Sequence, residues 1–245
     1  MLLLRSLLFN LLFFAWTVLI FIVYLPLLLL PRQFLAKAAG AWTGGVLAIL
    51  RLVVGLDYEV RGRENLPDGP CVLASKHQSA WDTLVFSQIV PDSTFILKRE
   101  LMWVPIFGWY LKHYGVVPVN RGGGAPVLRQ MLRDAEAIAA DGRSIVIFPE
   151  GTRTPPGESR RYRSGVSVLY TDMNVPVVPV ALNSGLYWRR RAFRKLPGRI
   201  VLEFLPPIPP GLSREAFMER LREELEGATQ RLVAEAKGGS QEHPQ

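Results

Sequence analysis

From Ser6 to Pro31 the chain carries no charged residue. Twenty-six residues without a charge, most of them Leu, Phe, Ile or Val, constrain the fold more than any other feature of the sequence. At about 1.5 Å per residue such a helix is long enough to cross a hydrocarbon core of about 30 Å with some tilt. Asn10 and Pro26 interrupt the run without ending it. A secretory signal is the competing reading, with Arg5 as its basic end and Ala36-Lys37-Ala38 as a cleavage site. The apolar run is too long for the ~7–15 residues that such a signal uses. Residues 33–54 are a second helical candidate, mostly apolar but broken by Lys37, Gly40, Gly44 and Gly45. Its length allows a second span, whereas the lysine and the glycines favour a helix lying at the interface. A membrane-seated helical hairpin and a spanning pair both remain open. Arg32, Lys37, Arg51, Arg61 and Arg63 follow the first segment and only Arg5 precedes it. If that segment spans, this bias puts the remainder of the chain in the cytoplasm.

From Asp57 onward short apolar runs alternate with helical patterns. Strands are expected over residues 58–61, 71–75, 94–97, 116–119, 144–148, 177–182 and 200–205. Helical spacing marks residues 81–90. Over residues 125–140 Val127, Met131, Leu132, Ala135 and Ile138 form a stripe, with Gly142 as the stop. Residues 213–237 carry a longer amphipathic pattern on Phe217, Leu221, Leu225 and Leu232. Alternation of this kind defines an α/β domain with a mixed, largely parallel sheet flanked by helices. The expected organisation is an apolar anchoring region over residues 1–54, one domain over 55–237 and a polar, disordered tail over 238–245.

Within that domain, Lys76-His77-Gln78-Ser79-Ala80-Trp81-Asp82 joins the end of one expected strand to the start of a helix. Ser79 reads as the helix N-cap and Asp82 as the acidic member of a capping box. On a continuous helix residues five apart point about 140° from each other, so only a turn could fold the imidazole onto the carboxylate. A histidine held in this way keeps one tautomer, and its other nitrogen can accept a proton from a hydroxyl. A loop histidine beside a simple helix cap fits this stretch equally well.

A second expected strand, residues 144–148, runs into Pro149-Glu150-Gly151-Thr152-Arg153. Sites in α/β folds are built at such strand ends. Gly151 permits a tight turn, and the Arg153 guanidinium suits a phosphate. Val119-Asn120-Arg121-Gly122 ends another strand in a basic turn, which makes Arg121 a further anion ligand candidate. The net charge of +8 also asks for an anionic partner. Residues 153–199 hold ten Lys or Arg against Glu158 and Asp172, a pattern typical of a solvated or membrane-facing surface. The single cysteine, Cys71, excludes an internal disulfide and reads as a small core residue. Three scattered histidines make no metal ligand set.

Together these stretches resemble the glycerolipid acyltransferase family, and within it the 1-acyl-sn-glycerol-3-phosphate acyltransferases. His77 and Asp82 match the family's Asn-His-x4-Asp block, with Lys76 in place of the commoner Asn. Residues 115–121 match the block that ends in Arg, and Phe148-Pro149-Glu150-Gly151-Thr152-Arg153 reproduces a third without change. Residues 175–180 match the Val-Pro-Val-x-Pro-Val block, and Lys98-Arg99-Glu100-Leu101 resembles the Lys-x-Glu-Leu segment. All occur in the family's order. The resemblance implies a glycerol-3-phosphate acyltransferase-like fold and transfer of an acyl group to the sn-2 hydroxyl of lysophosphatidic acid. The donor would be acyl-CoA or acyl carrier protein, with no metal and no further cofactor. His77 would be the general base and Asp82 its orienting partner. Arg153, Arg121 and Lys98 would bind the acceptor phosphate, with Gly151 and Thr152 in the same turn. Glu150 would hold Arg153 or the Gly151 turn, and backbone N–H groups near Gly151 are candidate oxyanion donors.

The apolar helices would hold the enzyme at a membrane (the inner membrane if the source is bacterial), with its catalytic domain on the cytoplasmic side. Another lysolipid acceptor, such as lyso-ornithine lipid, fits the same motifs. A membrane-anchored protein that binds anionic lipid or nucleic acid would explain the charge. It would not explain His77, Asp82 and Glu150 at strand ends. No aromatic-rich RNA-binding signature appears, so nucleic acid is not an expected partner. No Gly-x-Ser-x-Gly occurs either, which argues against a serine hydrolase.

Overall fold

The computed structural model describes residues 1–120 and 122–239. Two helices, α1 (Leu2–Val23) and α2 (Arg32–Ile49), come first. Pro26 lies in the 3₁₀ turn Leu25–Leu29, which reverses the chain between them. A single wide turn extends α2 to Val54, and Gly55 stops it in the left-handed conformation. The two helices pack as a hairpin: the Trp16 indole donates to the Trp42 carbonyl at 3.0 Å, and Trp42 donates to Thr17 Oγ1 at 3.2 Å. Gly45 is where this hairpin is tightest, because a Cβ there would sit 2.5 Å from the Trp16 ring.

All seven expected strands form: β1 (Leu56–Arg61), β2 (Val72–Ser75), β3 (Thr94–Lys98), β4 (Val117–Val119), β5 (Ile145–Ile147), β6 (Val177–Leu182) and β7 (Gly198–Phe204). They make one sheet in the order β1-β7-β6-β2-β5-β3-β4. The β6–β7 pair is antiparallel and every other pair is parallel. β2 through β6 therefore all deliver their C-terminal ends to one edge of the sheet. The expected helices appear as α3 (Trp81–Ile89), α5 (Gly124–Ala140) and α7 (Arg214–Gly239). Two more, α4 (Phe107–Tyr114) and α6 (Gly165–Met173), were not expected from the sequence. Gly238 belongs to the end of α7, and residues 240–245 of the expected tail lie outside the described residues.

Strand side chains alternate between two cores. Leu73, Val146, Val178 and Val180 face one, with α3 and the apolar hairpin. Ala74, Ile145, Ile147 and Val177 face the other, with α5, α6 and α7. The hairpin is part of the first core: Phe9, Val46, Leu47 and Leu50 are buried in the same cluster as Trp81 and Phe86. The break expected at residue 54 is thus a change of composition and not of packing, because the inner face of the hairpin finds its apolar partner in the sheet. Its outer face keeps Leu3, Leu4, Leu11, Phe14 and Val18 exposed. Both helices are long and apolar enough to cross a membrane.

Candidate active site

β2 and β5 are parallel neighbours, with Ala74 opposite Ile147, so the turns that follow them stand side by side. They are tied together: the Thr154 N–H donates to the His77 carbonyl at 2.8 Å, and the His77 ring stacks on Phe148 with centroids 4.0 Å apart. His77 Nδ1 lies 3.0 Å from Asp82 Oδ2. The same oxygen accepts the backbone N–H groups of Gln78 at 2.7 Å and Ser79 at 2.8 Å. Ser184, at the end of β6, donates its hydroxyl to Asp82 Oδ1 at 2.5 Å. The carboxylate is fully buried, while the His77 side chain keeps 12% of its surface exposed. A carboxylate can only accept, so Nδ1 is the donor and the neutral ring carries its free lone pair on Nε2. That arrangement can take a proton from a hydroxyl brought to Nε2.

The capping box expected here is half realised. Asp82 returns to the Ser79 N–H, but α3 begins at Trp81, and Ser79 Oγ accepts from the Trp81 N–H at 3.1 Å. The helix start and the His77 contact use one carboxylate for both purposes.

His77 lines a cavity of about 730 Å³. Its lining includes the basic side chains of Lys98, Arg153 and Arg163, together with Gly151. The remainder is largely apolar and is walled partly by the hairpin, through Phe21, Tyr24, Leu35 and Trp42. Burial lowers the Arg153 guanidinium pKa from its usual value, partly offset by the Asp82 charge. Lys98 reaches the cavity with its ammonium 2.9 Å from Glu100. Arg121 lies outside the described residues.

Gly151 has φ +66°, a conformation that favours glycine, and a Cβ on it would press on the Arg163 side chain at 3.3 Å. Its N–H donates to the Phe148 carbonyl at 2.9 Å. That bond closes the turn and engages the Gly151 N–H. Thr152 is half-buried and does not line the cavity.

Glu150 is buried, and its Oε1 accepts from Lys76 Nζ at 2.7 Å. Lys76 is 1% exposed and also reaches Glu226 of α7, at 2.6 and 2.8 Å. The Tyr162 hydroxyl donates to the same Glu226 carboxylate at 2.8 Å. Desolvation raises the Glu150 carboxyl above the usual carboxylate range, opposed by the hydrogen bond and charge of Lys76. A buried lysine draws in the nearest carboxylate, because an unpaired charge there would be very costly. Four contributors escaped the sequence reading: Ser184, Arg163, Tyr162 and Glu226. Ser184 was within reach of the strand-end rule, since it stands two residues after the end of β6. Glu226 is one of several acidic residues on α7, and no local pattern distinguishes it.

A mostly parallel sheet with a carboxylate-held histidine and a basic turn at adjacent strand ends defines an acyltransferase-type α/β fold. The chain belongs to the acyltransferase family, whose model matches residues 57–183. It is similar to the 1-acyl-sn-glycerol-3-phosphate acyltransferase of Pseudomonas aeruginosa, 36% identical over 194 residues that cover 79% of this chain and 74% of that protein. The human 1-acyl-sn-glycerol-3-phosphate acyltransferase alpha is 27% identical over 197 residues, covering 78% and 70%. The crystal structure of the 1-acyl-sn-glycerophosphate acyltransferase of Thermotoga maritima superposes with a TM-score of 0.78 at 25% identity, covering 96% of this chain and 98% of that one.

Proposed function

We propose that this protein moves a fatty acyl group from an acyl thioester to the sn-2 hydroxyl of lysophosphatidic acid, giving phosphatidic acid. The observation that carries the reading is His77, backed by Asp82, in the wall of a largely apolar cavity that is also lined by Lys98, Arg153 and Arg163. That lining matches an acceptor with a phosphate head and an acyl chain to shelter. Arg153 and Arg163 supply guanidinium groups to the lining. As the acceptor oxygen attacks the thioester carbonyl, His77 Nε2 takes its proton and Asp82 stabilises the imidazolium. The tetrahedral intermediate collapses by breaking the C–S bond, and the departing thiolate takes the proton back from His77. No external oxidant or metal is needed for this balance. Coenzyme A and acyl carrier protein are both admissible donors.

The protein works at a membrane, with the hairpin lying along one leaflet. Both ends of α1 contact the sheet domain. Ser6 and Asn10 meet Lys195 at one end, and the Phe21 carbonyl accepts from Tyr110 at 2.5 Å at the other. Ser6 and Phe21 are about 22 Å apart along the helix, so a helix held at both points runs along the domain and not away from it. Trp103 and Trp109, 72% and 58% exposed near the second contact, suit a headgroup interface.

In the deciding experiment the purified protein is assayed against acyl-CoA and acyl carrier protein donors and a panel of lysolipids. Lysophosphatidic acid should be the preferred acceptor. His77→Ala should lower kcat by about 10²–10⁴-fold while the protein still floats with vesicles. Near-wild-type turnover in that variant would refute the assignment.

A further inference from the structure

The β6–β7 loop contains the densest run of cations in the chain, and the reaction described above uses none of Arg189, Arg191 and Arg194. We propose that this loop docks the protein onto anionic lipid, with these three guanidinium groups meeting headgroup phosphates beside an exposed Phe193. The inference rests on the membrane-surface reading and assigns it a specific contact.

The loop is fixed to the apolar hairpin by its one buried cation. Lys195 is 4% exposed, and its ammonium donates to Asn10 Oδ1 at 2.9 Å and to the Phe193 carbonyl at 3.0 Å. It also lies over the Trp188 and Phe9 rings, 5.3 and 5.6 Å from their centroids. The Lys195 N–H donates to Ser6 Oγ at 3.0 Å. Two of the polar residues of α1, Ser6 and Asn10, are thereby explained: they seat this loop.

Its other charges point to a partner outside the protein. Arg189, Arg191 and Arg194 are exposed, and among the described residues no carboxylate lies within ion-pair distance of them. Arg191 has φ +59°, a conformation that a long side chain rarely adopts, in a turn closed by the Ala192 N–H on the Arg189 carbonyl. Three like charges on one short turn repel one another and need a multivalent anionic counter-surface. Guanidinium groups pair well with phosphate. An acidic protein would satisfy the charge. The bilayer also accounts for the exposed Phe193 and for continuity with the lipid-facing leucines of α1, Leu3, Leu7 and Leu11. Arg190 stands apart, since its guanidinium donates to the Arg153 carbonyl at 3.3 Å, and it is left intact in the test.

The full-length protein and an R189Q/R191Q/R194Q variant are floated with phosphatidylcholine vesicles and with vesicles containing about a quarter phosphatidylglycerol. Each basic residue at an anionic surface contributes roughly a fivefold gain, so the wild type should bind the charged vesicles at least about tenfold more tightly at low salt. Added salt should erase that gain. The variant should keep neutral-vesicle binding and lose the gain. A wild type without the gain, or a variant that retains it, overturns the proposal. A variant with unchanged vesicle binding but a raised KM for a carrier-protein thioester would assign the loop to that acidic protein and overturn it equally. If the wild type binds neither vesicle, the membrane reading itself has failed.

Discussion

Lys76 and His77 are consecutive residues that end in opposite environments. Lys76 points into the interior, where Glu150, Glu226 and Tyr162 make a closed polar cluster. His77 points to the cavity, with one nitrogen held by Asp82 and the other left to the cavity side. The contrast separates two uses of buried charge at one strand end. Three charged groups and a tyrosine around Lys76 bring β2, the turn after β5, α7 and the segment before α6 to one point. Such a cluster specifies how elements meet. The His77 pair is satisfied on one side only, and that open valence is what chemistry requires. Mutual pairing of buried charges rigidifies, even with Glu150 Oε2 left unpartnered among the described residues, whereas an open nitrogen facing a cavity can react.

The contrast can be broken from either side. Asp82→Asn should have the largest effect, lowering kcat by about 10³–10⁴-fold because an amide no longer fixes the imidazole tautomer or stabilises its cation. Steady-state kinetics beside a thermal melt test this, and a variant that loses stability but keeps its turnover would place Asp82 with the structural group. Lys76→Met should do the converse. It leaves two buried carboxylates without their cation and should cost about 3–5 kcal/mol in denaturant unfolding. Turnover of the molecules that remain folded should fall far less than in Asp82→Asn.

Ser184→Ala is a finer probe. Losing one hydrogen bond to a buried carboxylate is worth about 1.5–3 kcal/mol, so kcat should drop by about tenfold or somewhat more. Ser184→Thr, which keeps the hydroxyl, should restore most of it. The smallest effect is expected from Glu150→Gln. Burial raises the Glu150 carboxyl in the folded state, so its contribution to stability is present below the ordinary carboxylate range and is lost as pH rises through the raised value. The substitution removes that loss, and the Tm of the variant should fall less over this window than that of the wild type. Parallel Tm profiles would show that Glu150 is not the group responsible.

Local pattern alone determined a good deal of this protein. All seven strands and three helices followed from local pattern and stop signals, because strands buried on both faces between two cores read as short continuous apolar runs bounded by turn residues. α4 and α6 escaped: both are short, of eight and nine residues, and sit among turn residues that mask their spacing. The strand-end placement of His77, Asp82 and the Glu150–Arg153 turn was equally legible, since those residues are close in sequence to the strands that carry them.

What only the tertiary structure decided lies in contacts between distant residues. The side-by-side position of the two turns depends on β2 pairing with β5, 73 residues further on in the Val72–Ile145 register. The roles of Glu150 and Lys76 could not be read locally, because their partner Glu226 comes from α7 and only folding brings these charges out of water together. Likewise, composition made residues 2–54 apolar enough for a membrane, but only the contacts of Ser6, Asn10 and Phe21 show α1 lying along the sheet domain. Hydrophobicity sets how much surface must leave water. It carries no information on which of the available apolar partners, sheet or lipid, each face will meet.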